Sequence, residues 1–154
     1  MRFFFLVIAF FATVLATAQT SYLFIGTYTS RGSKGIYVYR FDAKNGRLKW
    51  VSNTEGITNP SYLAVAPDNR FIYSCTDTRT SSPGSISAFS FDAKAGKLSL
   101  LNKQQTDGAN PVYIAVHKTG RWVVEGNYTS GNLCVLGIRA NGCLQPPSQT
   151  IEHS

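Results

Sequence analysis

Apolar and polar positions along this chain alternate with a period of two in short runs, and turn-forming residues separate the runs. Tyr22 to Ile25, Tyr62 to Val65 and Phe71 to Cys75 read as short strands. Ile86 to Phe91 sets Ile86 and Ala88 against Phe89 and Phe91, and Leu98 to Asn102 closes the group as a fourth strand. Between them lie Pro67-Asp68-Asn69-Arg70, Ser82-Pro83-Gly84 and Asp92-Ala93-Lys94-Ala95-Gly96, the last with Gly where a hairpin needs positive φ. No stripe of helical period competes, so the pattern predicts an all-β fold.

The same units return along the chain. FDAKNGRL at 41–48 recurs as FDAKAGKL at 91–98, with a worn copy, IRANGCL, at 138–144. NPSYLAVAPDNRFIY at 59–73 returns as NPVYIAVHKTGRWVV at 110–124, and GTYTS at 26–30 as GNYTS at 126–130. A period near 50 with four short antiparallel strands per unit describes the blades of a β-propeller. The expected blades are 21–58, 59–109 and 110–154. Tyr22 to Ile25 aligns with Trp122 to Glu125, a second strand, so blade one should lack its innermost strand. About two and a half blades are expected, where a closed ring needs roughly four to eight. Such a piece would leave apolar faces and strand edges open, which predicts self-association through the blade edges.

The N-terminus predicts export rather than fold. Arg2 precedes Phe3 to Leu15, an uncharged and almost wholly apolar run, and Ala16-Thr17-Ala18 has the small-x-small form of a signal-peptidase site. Residues 1–18 are thus expected to be a signal peptide, cleaved before Gln19, and the product periplasmic or secreted. The run is short for a membrane span of about twenty residues, and no later stretch could span, so no membrane association is expected after cleavage. Composition agrees: 44% hydrophobic and 13% aromatic residues supply a core, while 15% charged is too little for a coiled coil. The net charge of +7 is scattered without a run of three, which argues against nucleic acid and leaves room for anionic small ligands. Cys75, Cys134 and Cys143 lack metal spacing, so no metal site is indicated, and at most one disulfide is open to them.

GTYTSRGSKGIYVYRFDAKNGRL at 26–48 resembles the opening blade of the lactonase family with a seven-bladed propeller, the group related to 6-phosphogluconolactonase and carboxymuconate cyclase. GNYTSGNLCVLGIRANGCL at 126–144 resembles its third blade. The resemblance implies hydrolysis of a sugar-acid lactone, with a small-molecule lactone or sugar acid as partner and no cofactor required. It also implies that the family's proposed His, Arg and Glu lie in later blades, beyond Ser154, so the catalytic residues are unknown from this chain. A non-enzymatic propeller used as a binding or scaffolding surface is the rival reading.

Lactone hydrolysis needs a base for water and donors for the developing oxyanion. Glu125, beside the Gly126-Asn127-Tyr128 corner, is the one carboxylate in a pocket position, although a solvated rim carboxylate is the favoured reading. Tyr28 and Tyr128 follow glycines at matching points where a strand leaves the sheet, and either lines a central pocket or packs between blades. Asn127 could bind a carboxylate or hydroxyl, or satisfy turn backbone, and with Tyr128 and Thr129 it forms a glycosylation sequon. His117 reads as a surface turn histidine, and Arg31 and Lys34 flank a loop that attracts anions or is simply exposed.

Overall fold

The computed structural model describes residues 21–153, so the expected signal peptide at 1–18 lies outside the described residues. The strands are β1 (Ser21–Ile25), β2 (Ile36–Asp42), β3 (Arg47–Thr54), β4 (Leu63–Val65), β5 (Phe71–Thr76) and β6 (Ser85–Asp92). They continue as β7 (Lys97–Gln105), β8 (Pro111–Val116), β9 (Trp122–Asn127), β10 (Asn132–Ile138) and β11 (Leu144–Glu152). They form three antiparallel sheets in the orders β1-β2-β3, β4-β5-β6-β7 and β8-β9-β10-β11. Two four-stranded blades therefore accompany a three-stranded one, and blade one lacks its innermost strand as expected. In blade one, β1 takes the place that β5 and β9 hold in the other two.

Period-two alternation divides each strand between two neighbours. On one face of blade two, Ile72, Phe89 and Leu98 pack with Ile36, Val38 and Ile57 of blade one. On the other, Phe71, Tyr73, Ile86 and Ala88 meet Ile114, Val123, Leu136 and Leu144 of blade three. Phe91 stands edge-on to Tyr22 and Phe24, each ring centroid at 4.9 Å.

The repeated FDAK segment is the hairpin turn after the third strand of a blade. Asp92 Oδ1 accepts from Lys94 N at 2.8 Å and Ala95 N at 3.1 Å, and Gly96 takes φ +66°. These backbone donors hold the Asp92 carboxyl below its ordinary pKa. Each such turn in blades two and three is docked by a tyrosine of the preceding blade. Tyr22 Oη donates to Ala93 O at 2.8 Å, and Tyr73 Oη to Gly142 O at 3.0 Å.

The outward faces of the terminal blades carry Leu23, Ile25, Phe41, Leu48 and Trp50 on one side and Trp122, Val124 and Ile151 on the other, all exposed. Cys75 and Cys134 are buried free thiols, and Cys143 is free as well.

Candidate functional site

The antiparallel topology sends the loops 26–35, 55–62, 77–84, 106–110 and 128–131 to one end of the blades, and the tight hairpin turns to the other. The loop end holds left-handed backbone at Arg31, Asn59, Asp77, Arg79, Asp107 and Asn110, with φ between +44° and +70°. Side chains with such φ values are uncommon and need support from their surroundings.

The two Asn-Pro repeats supply that support. Asn59 Oδ1 accepts from Thr29 N at 2.9 Å and Thr29 Oγ1 at 3.0 Å, while its Nδ2 donates to Thr78 O at 2.7 Å. One side chain thus ties the loops of blades one and two together. Asn110 reaches back from blade three to blade two in the same way, its Oδ1 accepting from Arg79 N at 3.2 Å. Between them Ser61 Oγ donates to Thr78 Oγ1 at 2.9 Å, which donates to Pro111 O at 2.9 Å.

This scaffold frames a cleft of about 230 Å³ lined by Gly26, Thr27, Tyr28, Ser61, Tyr62 and Val112. Gly26 is required here, because a Cβ would collide with Pro60 O and come within 2.8 Å of Leu63 Cδ1. The Tyr62 and Tyr113 rings lie 5.2 Å apart beside the inner strands, and both are exposed. The Arg79 guanidinium carbon sits 5.0 Å from the Tyr28 ring centroid. A larger depression of about 510 Å³, lined in part by Thr80, Ser82, Pro83, Asp107 and Ser130, carries a carboxylate and no cationic side chain.

Tyr28 thus lines the cleft, whereas Tyr128 is 77% exposed and outside it. Glu125 is neither a solvated rim carboxylate nor part of the cleft. It is 0% exposed, because it shares the face of Val123 that packs on blade two. Its Oε2 accepts from Asn127 Nδ2 at 2.9 Å and Cys134 Sγ at 3.3 Å, while its Oε1 has no partner. Burial, ahead of these two bonds that oppose it, pushes the Glu125 carboxyl up to about 7. Asn127 is buried beside it, its Oδ1 accepting from Thr106 Oγ1 at 2.8 Å, and it does not line the cleft. Burial likewise raises the Cys75 and Cys134 thiols, which keeps them protonated.

His117 lies exposed in a turn at the opposite end, Nδ1 accepting from Thr119 N at 3.3 Å. Lys34 pairs with Glu55 at 3.3 Å in solvent, and Arg31 is exposed on the same loop. Among the described residues no group of three or more His, Cys, Asp or Glu is placed to hold a metal ion. Sequence reasoning missed Arg79, which has no counterpart in the repeats. It also missed Tyr62 and Tyr113, whose matched places in NPSY and NPVY were the available signal.

Residues 22–154 match the family described as lactonase, 7-bladed beta-propeller. The chain is 32% identical to a 6-phosphogluconolactonase of Formosa agariphila, over 80% of this chain and 35% of that one. A crystal structure from Bacteroides fragilis superimposes with a TM-score of 0.81 at 40% identity, covering 90% of this chain and 38% of that chain. A periplasmic gluconolactonase of Pseudomonas aeruginosa superimposes with a TM-score of 0.78 at 32% identity, covering 87% and 39%. The chain therefore spans well under half the length of these relatives.

Proposed function

This chain belongs to the seven-bladed β-propeller lactonase family, and on that premise we propose that its blades serve a propeller that hydrolyses the ring ester of a sugar-acid lactone outside the cytoplasm. The observation that carries the reading is the continuous match over residues 22–154, which runs through all three sheets. Export is supported by the Arg2, Phe3 to Leu15 and Ala16-Thr17-Ala18 pattern.

In the reaction, water adds to the lactone carbonyl carbon, the ring C–O bond breaks, and the departing alkoxide takes a proton to leave a hydroxy acid. A base must accept the water proton and donors must meet the oxyanion. The cleft at the loop end contributes binding rather than the base. Tyr28 and Tyr62, with Tyr113 beside Tyr62, offer flat apolar faces to the C–H side of a sugar ring, and Ser61 Oγ, whose own proton goes to Thr78, is an acceptor for a sugar hydroxyl. Glu125 is sealed from that cleft and is not placed to act as the base there.

The test is acid release from gluconolactone and from its 6-phosphorylated form by the full protein, against spontaneous ring opening. Faster opening of either lactone supports the reading. A rate equal to the spontaneous one for both lactones, from folded protein, overturns it.

A further inference from the structure

We propose that the cleft among the tight turns of blades two and three, at the end of the blades opposite the loops, binds a polyvalent oxyanion of the phosphate class. The inference is independent of the lactonase reading.

Three turns meet there. Residues 66–69, 117–120 and 139–142 each close with a bond from the last residue back to the first: Asn69 N donates to Ala66 O at 2.9 Å, Gly120 N to His117 O at 2.8 Å, and Gly142 N to Arg139 O at 2.9 Å. They surround a cleft of about 380 Å³ whose apolar lining includes Phe71 and Ile138. Its charged side chains are Lys118, Arg121 and Arg139 against one carboxylate, Asp68. The ion pairs among the described residues are Lys34 with Glu55 and Lys103 with Asp77, so none of these four is engaged in one. Asp68 Oδ1 accepts from Arg70 N at 3.0 Å, within its own turn. Like charges around an apolar lining repel one another and focus a positive field on the space between them.

The turns themselves do not call for this charge, because the repeats fold the same way without it. Pro67-Asp68-Asn69-Arg70 of blade two corresponds to Lys118-Thr119-Gly120-Arg121 of blade three, so Lys118 stands for a proline and Thr119 for an aspartate. On the other wall, Arg139 opens its turn where the FDAK copies hold Asp42 and Asp92. Asp92 Oδ1 bonds to the backbone of its turn, whereas an arginine side chain has no acceptor to offer. In blade three Asn141 Oδ1 accepts from Cys143 N at 3.2 Å. All three exchanges move the charge in the positive direction, and all three residues line this one cleft.

The walls are also fixed in place. Tyr73 Oη donates to Gly142 O, and the Asn102 amide clamps Leu144, its Oδ1 accepting from Leu144 N at 2.9 Å and its Nδ2 donating to Leu144 O at 2.8 Å. Guanidinium forks on a rigid frame suit phosphate, which carries more than one charge and several acceptor oxygens; a single carboxylate answers fewer of the cations. The apolar lining can seat the organic part of a phosphate ester.

The experiment titrates inorganic phosphate, phenyl phosphate and acetate by calorimetry into the full protein at constant ionic strength. Wild type is compared with R139D, which restores the residue of the other repeats, with K118A, and with K44A, a turn lysine outside the cleft. Thermal melts show that each variant is folded. R139D should weaken phosphate binding by about tenfold or more, the scale of a lost charged hydrogen bond. K118A should weaken it less, because Arg121 and Arg139 remain, and K44A should leave it unchanged. Phosphate should raise the melting temperature of wild type more than that of R139D. Tighter binding of phenyl phosphate assigns a phosphate ester seated on the apolar lining, and equal binding assigns the free anion.

Wild type that binds neither phosphate compound overturns the proposal, as does acetate that binds as tightly as phosphate. Binding left unchanged by R139D and K118A, or weakened as much by K44A, overturns it as well. If R139D does not fold, R139Q is held to the same criteria. No lactone enters either readout, so failure of the lactonase reading leaves this test intact.

Discussion

Glu125→Gln should make the protein more stable at pH 8 than wild type and flatten its pH dependence. The carboxyl is fully buried between blades two and three, Asn127 and Cys134 both donate to Oε2, and Oε1 has no donor. Burial raises it from an ordinary 4.5 to about 7 in the fold. A group raised in the folded state contributes stability that is fully present below its unfolded value and is lost as pH rises through its folded value. At about 1.4 kcal/mol for each pH unit separating the two values, the difference amounts to roughly 3 kcal/mol between about pH 4.5 and 7. Glutamine cannot ionise, keeps a carbonyl for Asn127 and Cys134, and places an N–H donor where Oε1 stands. Urea unfolding of both proteins at pH 5, 6, 7 and 8 reads the difference, and subtraction cancels every other titrating group. Buried Cys75 and Cys134 stay protonated throughout, and Glu55 and Asp92 are lowered, so their transitions fall below this window. Parallel pH profiles for wild type and variant would refute the reasoning, and so would wild-type stability that rises from pH 5 to 8.

Asn59→Ala removes three hydrogen bonds and leaves a Cβ at φ +44°, so a loss of about 3 kcal/mol is expected from the urea midpoint. Asn59→Asp, which retains the acceptor for Thr29, should lose less than half of that. Tyr73→Phe deletes the buried bond to Gly142 O and should cost about 1 to 2 kcal/mol by the same measurement. For residues 1–154 expressed by themselves, Trp50→Lys with Trp122→Lys places charge on two exposed faces, and light scattering should show less self-association than the unsubstituted chain at equal concentration.

The fold was legible because the information is local and repeated. Each FDAK turn holds its own Asp and Gly, and period-two runs mark the strands on either side. Strand ends were less legible: β7 runs on through Lys103, Gln104 and Gln105, polar residues that stay in the ladder because Ser87, Ile86 and Ser85 lie opposite them. The site was less legible still, because its partners come from distant blades. Glu125 follows Val123 at the spacing of one sheet face, which is a signal for burial, but the Thr106 and Asn127 network around it depends on a loop of blade two. Arg79 sits in a run of small polar residues with no motif, and only the fold brings it to Tyr28. The Asn-Pro repeats were visible as repeats, whereas their part in joining loops across blades follows from left-handed backbone that the sequence does not display.

The tyrosines that dock the hairpin turns also decide where the chain can be opened. The turns of blades two and three are wedged against their predecessors: a Cβ on Gly96 would come within 3.4 Å of Tyr22 Cε1, and one on Gly142 would strike the Phe71 ring. The turns at Ala93-Lys94 and Asn141-Gly142 are therefore poor places to splice in a peptide tag or a fluorescent reporter, since an insertion there would prise two blades apart.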